Sequence, residues 1–349
     1  MEPIVYLNLT KYKENLNNII SLTKAINLNL AAVSKVFLGS QPLIDVINET
    51  DVMFIGDSSL ENLKKMNTSK KKMYLRISAL SELESVVLNS DVSLQSEVYT
   101  IKKLNEVAIS KNKNHEIILM FDLGDLREGI YYKDNYLEIV KEIIKLSNIK
   151  LLGIGTNLTC YGGLIPTPQI LKRLNNIKEE IETKLNYKLE IISGGNSSSL
   201  YLIEENKHPN FINNLRLGES IILGRETAFG KKLNNMHDDV IIVEAEIVEL
   251  KNKPSLPDGL TGMDAFGKTV NIKDKGLMNR AILALGRQNV NCEDLIPIGD
   301  VEIVGCSSDH LIVNIKNNEF KVGDKLKFKL TYGGILSVMT SPFTRKRYE

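Results

Sequence analysis

A lysine placed directly after a short apolar run, Ala31-Ala32-Val33-Ser34-Lys35, puts an amine at the mouth of a strand. Partial removal from water there lowers a lysine pKa and prepares the amine to form a Schiff base. A solvated lysine at a strand end reads equally from the spacing. The string FDLGDLREG at 121–129 sets Asp122, Asp125, Arg127 and Glu128 around two glycines. The Arg127 fork there suits an oxygen of a substrate or cofactor, and an ordinary salt-bridged turn suits the same residues. A third string, SGGNSSS at 193–199, runs into the apolar 200–204. Its glycines let the backbone approach an anion, its hydroxyls donate, and a following helix start adds partial positive charge; the plainer reading is a flexible turn. Arg216-Leu217-Gly218-Glu219-Ser220 is a second glycine-bearing turn into a helix.

The other reactive side chains offer less. Cys160 lies in NLTCYG at 157–162 with no local histidine to activate it and reads as a small core residue, with Tyr161 beside it. Cys292 and Cys306 complete an odd, widely spaced set that fits no disulfide framework and no zinc site, so reduced thiols are expected. His115, His208 and His237 sit in polar sequence that reads as exposed, and His310 follows Asp309 at a strand start. Four scattered histidines give no metal-ligand spacing, so no metal is expected.

These loops need elements to hold them. Short apolar runs at 31–34, 52–55, 73–77, 92–94, 117–122, 151–156, 189–193 and 214–217 alternate with amphipathic stretches, the pattern of parallel strands joined by crossover helices. Serine and glutamate at Ser58 and Glu61, and at Ser81 and Glu84, have the spacing of capping boxes. Leu171, Leu174, Ile177, Ile181 and Leu185 form one stripe of a helix over 167–186. Eight βα units predict a closed (β/α)8 TIM-type barrel, with an open doubly wound sheet as the alternative. In such a barrel the active site is built from loops at the C-terminal ends of the strands, and loops seven and eight commonly bind phosphate.

After about residue 236 the texture changes to β-rich runs at 240–250, 280–285, 301–304, 311–315 and 325–330, with Pro/Gly punctuation at 253–267. The expected division is therefore a barrel over 1–235 and a C-terminal all-β domain over 236–349, with a first strand at about 4–8 that joins either. The chain's 349 residues are 43% hydrophobic and 25% charged, enough for a sizeable core. Its 44 basic and 43 acidic residues leave a net charge of +1, which provides no field to draw nucleic acid or an anionic membrane. The N-terminal residues lack a basic start followed by an apolar run, so a soluble cytoplasmic protein is expected.

A strand-end lysine, an arginine-bearing loop five, a Gly/Ser loop seven, an Arg-x-Gly loop eight and a trailing β-domain together resemble the alanine-racemase-like, fold type III enzymes that use pyridoxal phosphate. The resemblance covers nearly the whole chain. FDLGDLREG, NLTCYG, SGGNSSS, GESIILGRE at 218–226, DAFG at 264–267 and SSDHLIV at 307–313 resemble the members of that family that racemise ornithine. The resemblance implies that Lys35 holds the cofactor covalently and serves as one catalytic base. It also implies that Arg127 contacts the pyridoxal hydroxyl side and that Asn157 stands where alanine racemases usually have a histidine. Ser197, the backbone of Gly218 and Glu219, and Tyr332 would hold the phosphate, and Arg216 would face the pyridine nitrogen. An always-charged guanidinium keeps that nitrogen unprotonated and limits the electron sink. Ser308 and Asp309 would approach an amino-acid substrate, and a homodimer with shared active sites is the expected form.

The chain departs from alanine racemases in two places. Gly39 stands roughly where a tyrosine follows the catalytic lysine, and Phe266 before Gly267 aligns with the tyrosine that serves as second base. Phenylalanine moves no proton, so Asp264 is the first candidate for that role, with His310, Asp309 and Tyr161 behind it and a turn cap as the structural reading of Asp264. A basic-amino-acid decarboxylase of the same fold is the nearest alternative, for which Gly305 to Asp309 is a partial match. Such enzymes place an acid where this chain has Arg216. A non-catalytic pyridoxal-phosphate carrier is the second alternative, and it lacks a β-domain.

Overall fold

The computed structural model describes residues 2–264, 266–267, 269 and 272–349. The chain divides into two compact units, Thr10–His237 and a second made of Met1–Leu9 with Asp238–Glu349.

The first unit carries β2 (Asn29–Val33), β3 (Phe54–Asp57), β4 (Lys71–Tyr74), β5 (Val92–Gln95), β6 (His115–Asp122), the short β7 (Ile130–Tyr131), β8 (Ile149–Gly155), β9 (Ile191–Ser193) and β10 (Asn214–Leu217). Eight of these pair in parallel in chain order, and β10 returns to β2 in the register Arg216 opposite Ala31. The sheet is therefore closed, which settles the choice against an open doubly wound sheet; β7 is a two-residue appendix to β6. Ala31, Phe54, Met73, Val92, Leu94, Ile118, Met120, Leu152 and Ile191 form one buried cluster. Side chains from seven different strands meet only in a barrel interior, so this unit's inner core is packed rather than a pore.

The crossover helices have the amphipathic faces that the sequence shows. Helix Pro168–Leu185 starts on a Thr167 cap that accepts from the Ile170 amide and buries Leu171, Leu174, Ile177 and Ile181. The two expected capping boxes are corrected. Ser59, not Ser58, caps helix Leu60–Lys65 by accepting from the Asn62 amide, because the strand before it extends to Asp57 and delays the helix by one residue. In the other, Glu82 reaches back to the Ala79 amide at 3.4 Å, so the chain enters helix Leu83–Asn89 through a 3-10 turn that starts ahead of Ser81.

The second unit is antiparallel apart from one pairing. Its strands are β1 (Ile4–Leu7), β11 (Ile241–Pro254), β12 (Leu277–Leu283), β13 (Leu295–Pro297), β14 (Glu302–Cys306), β15 (Leu311–Asn314), β16 (Lys325–Leu330) and β17 (Arg345–Tyr348). The order is β13-β16-β11-β12-β15-β14, with β1 lying between β11 and β17 and parallel to β17. Among the described residues no helix is long and apolar enough to cross a membrane.

Candidate active site

At the C-terminal ends of the barrel strands, β2 delivers Lys35 at the start of a 3-10 turn, Lys35–Phe37. That turn is tied down from below. The buried Ser34 hydroxyl donates to Asp57 Oδ2 at 2.6 Å at the end of β3, and Asp57 Oδ1 accepts from the Ser59 amide at 2.8 Å and Asn62 Nδ2 at 3.1 Å. Burial pushes the Asp57 carboxyl up from the usual aspartate value. Sequence reasoning missed this anchor; its only signal was a serine immediately before the lysine and an aspartate at the end of the next strand. The expectation of a desolvated amine is corrected, because Lys35 is exposed.

Parallel pairing of β2 with β10 brings the Lys35 turn beside loop eight. A Cβ on Gly218 would sit 3.0 Å from Val33 Cβ, so glycine there allows the two strand ends to approach. Gly218 opens the short helix Glu219–Leu223, and the Glu219 carboxylate is held by Arg225 at 2.7 Å. Loop seven packs against it. The Ser197 hydroxyl is 3.1 Å from Ser220 Oγ and accepts from the Ser220 amide, while Asn196 caps the turn by accepting from the Ser198 amide at 2.9 Å.

Arg216 is 4% exposed. Its guanidinium reaches across β9, donating to Ser193 Oγ, to the Thr156 carbonyl at 2.7 Å and to Asn157 Oδ1 at 2.6 Å. Desolvation pushes its pKa down to about 10, still far above neutrality. Asn157 Nδ2 in turn donates to Glu128 Oε1, and Arg127 holds the same carboxylate through Nε and through a 2.6 Å bond from Nη2. Burial would push the Glu128 carboxyl up, but the bonds from Arg127 and Asn157 outweigh it and hold it below the usual glutamate value. Arg127, Asn157 and Arg216 are thus joined through Glu128, which the sequence reading placed in the loop without giving it a role.

Asp125 organises loop six. It is 1% exposed and accepts from the backbone amides of Thr159 at 3.1 Å, Cys160 at 3.1 Å, Tyr161 at 2.9 Å and Leu164 at 2.8 Å. The Gly162 amide donates to its carbonyl, and a Cβ at Gly162 would lie 2.7 Å from that oxygen, so no other residue fits. Burial raises the Asp125 pKa, and the backbone donors overcome it and leave it below the ordinary aspartate value. A carboxylate whose folded pKa is depressed stabilises the fold above its unfolded pKa of about 3.9, and loses that contribution as pH falls through the folded value. Asp125→Ala is expected to lower stability by about 3 kcal/mol at neutral pH, since it strands buried donors. Urea unfolding at neutral and acid pH checks this: the gap between variant and wild type narrows in acid, and a constant gap would refute the ionic origin.

Three further expectations are corrected. Cys160 is exposed, not a core residue, because Asp125 holds its backbone and leaves the side chain outside. His115 is 1% exposed at the start of β6, where Ser93 Oγ lies 2.9 Å from its Nε2 and burial lowers its pKa to about 4. His208 is half-buried, its Nε2 enclosed without a partner and its pKa likewise lowered to about 4 by burial.

Asp264, Ser308, Asp309 and Tyr332 belong to the β unit. Asp264 Oδ1 accepts from the Phe266 amide at 2.9 Å and its carbonyl from the Gly267 amide at 3.0 Å, a turn-capping arrangement; Ala265 of the same motif lies outside the described residues. Asp309 is exposed, with the Ser307 and Ser308 hydroxyls at 3.1 Å and 3.0 Å and His310 Nδ1 at 3.4 Å. Tyr332 begins helix Tyr332–Thr340. Tyr161 is 76% exposed. No group of three or more metal-binding side chains occurs among the described residues.

The barrel end fits pyridoxal phosphate by its own chemistry. The hydroxyls of Thr156 and Ser198 are buried without a hydrogen-bond partner, an arrangement that favours a polar ligand. Beside them stand a buried guanidinium, a Gly/Ser turn and an accessible lysine amine. Together with the closed barrel and β unit, they define the class of pyridoxal-phosphate enzymes built on a (β/α)8 barrel.

The family model of the alanine racemase N-terminal domain matches residues 7–226. The chain is 45% identical to the ornithine racemase of Acetoanaerobium sticklandii, over 99% of both chains. It is 36% identical to the lysine racemase of Thermotoga maritima, over 99% of this chain and 98% of that one. The alanine racemase of Bartonella henselae, solved with covalently bound pyridoxal phosphate, superposes with a TM-score of 0.74 at 14% identity, all of each chain being covered. The chain belongs to the alanine racemase family, and it is a pyridoxal-phosphate-dependent amino-acid racemase.

Proposed function

We propose that this racemase interconverts L- and D-ornithine, as a cytoplasmic homodimer. The observation that carries the reading is the 45% identity to an ornithine racemase along essentially the whole chain, against 36% to a lysine racemase. Lysine is the second reading, favoured by that other relative. Decarboxylation is disfavoured by Arg216, a cation at the position where the decarboxylases place an acid.

Electron withdrawal by bound pyridoxal phosphate is what acidifies the α-C–H of an amino acid joined to it. The chain's residues then do the rest. Lys35 Nζ would anchor the cofactor and, when free, would take or return the α-proton on one face. Ser197 and the backbone of Gly218 and Glu219 would hold the phosphate, together with Tyr332 of the β unit. Arg216 would face the pyridine nitrogen and Arg127 would contact the hydroxyl side. Asp264 supplies the second proton-transfer group, with Ser308 and Asp309 toward the substrate, each from a partner copy.

Chiral chromatography of the purified holoenzyme with each L- and D-amino acid in deuterated water tests the substrate. Ornithine is expected to racemise fastest with deuterium at the α-carbon, and a faster reaction with lysine or alanine would overturn the reading. Asp264→Asn tests the second base. The asparagine keeps the Oδ1 acceptor that caps the turn, so the fold is retained. Racemisation is expected to fall about 10²-fold or more, the scale for a positioned acid or base. One enantiomer still exchanges deuterium through Lys35. Wild-type racemisation in this variant would eliminate Asp264.

A further inference from the structure

Arg216 is a buried cation whose described partners, the Thr156 carbonyl, Ser193 Oγ and Asn157 Oδ1, are all neutral. A buried charge needs a counter-charge near it. The carboxylate that reaches it is Glu128, one amide away through Asn157. The amide itself has two distinguishable ends. A carboxylate only accepts and a guanidinium only donates, so Nδ2 must face Glu128 and Oδ1 must face Arg216.

We propose that Glu128 is the positioning residue of this site: its carboxylate locks the Asn157 amide in one orientation and, through that amide, supplies the counter-charge of Arg216. Arg127 fixes Glu128 from the other side, so both arginines share one anion. An amide carries no titrating proton, whereas the histidine that the family usually has here can change charge. With Asn157 in place the balance between Glu128 and Arg216 stays constant across neutral pH. The other titratable or charged groups around the pair are Arg127, Asp125 and Cys160. The proposal rests on the pyridoxal-phosphate site described above, and its first readout needs no amino acid.

The test uses holoenzyme carrying Glu128→Gln, alone and combined with Asn157→Asp, which moves the negative charge one group closer to Arg216. The visible absorbance of the lysine-bound cofactor is titrated with pH, and kcat is measured separately. In Glu128→Gln the titration midpoint is expected to move to lower pH by roughly half a unit or more, the scale of one charge lost several ångströms away at an effective dielectric near 20. kcat is expected to fall about 10-fold or more, by analogy with the loss of an outer hydrogen-bond partner at a site. The double variant is expected to restore the midpoint and part of kcat. An unchanged midpoint in Glu128→Gln, or a double variant no better than the single one, overturns the proposal. A wild-type enzyme inert toward ornithine would refute the substrate reading while the midpoint shift still reported on Glu128.

Discussion

Lys35→Ala is expected to yield a folded protein that holds no cofactor covalently. After dialysis the visible absorbance of a lysine-bound cofactor is absent, and borohydride, which in wild type reduces the lysine imine to a stable amine, fixes no pyridoxyl group on the chain. Racemisation falls by about 10⁴-fold or more, the upper end for a positioned proton-transfer group, because the anchor and one base leave together. The fold survives because Lys35 is exposed, while the Ser34–Asp57 bond that seats its turn is untouched. Thermal unfolding should therefore match wild type. A variant that kept the visible absorbance through dialysis, or on which borohydride still fixed a pyridoxyl group, would place the anchor on another lysine and overturn the assignment of strand β2.

Arg216→Glu is expected to have the second largest effect, and it has two parts. A carboxylate at this position would face the Thr156 carbonyl and Asn157 Oδ1, both acceptors, with Glu128 beyond. A buried acid with no cation beside it and at most the Ser193 hydroxyl to donate to it is destabilised, so urea unfolding should show a loss of about 3–5 kcal/mol, the range for an uncompensated buried charge. The second part is chemical. A carboxylate beside the pyridine nitrogen favours its protonation and deepens electron withdrawal, so racemisation slows and transamination rises in proportion. Arg216→Met separates the two, since it removes the cation without supplying an acid, and should lose rate without gaining transamination. An unchanged product ratio in Arg216→Glu would contradict placing Arg216 on the nitrogen.

The barrel was legible because its signal is repetitive. Each of the eight expected runs overlaps an observed strand, and the stripe from Leu171 to Ile181 is buried as its period implies. What escaped was set by neighbours in space rather than in sequence. The cap moved from Ser58 to Ser59 because β3 runs on to Asp57, a residue fixed by Ser34 across the sheet. His115 reads as exposed from its polar surroundings, yet Ser93 on the adjacent strand gives it a partner in the interior. At the site, the resemblance supplied Arg127, Asn157 and Arg216 as separate residues. Glu128, which links them, pairs with a side chain 29 positions away, beyond any local pattern. In the β unit the first strand expected at about 4–8 is β1, whereas the short strands β13 and β17 give too few residues for an alternation to show.

The placement of β1 between β11 and β17 governs how the chain can assemble as it is made. Ile4 pairs with both Glu244 and Arg345, so this strand must wait for partners made 240 and 341 residues later. The barrel, whose neighbouring strands are mostly close in sequence, has all its residues available once His237 has emerged. The β unit depends on pairings of very long sequence separation, and such pairings form slowly. During synthesis Ile4–Leu7 is an unpaired apolar strand, an edge open to other chains until β11 and β17 close over it.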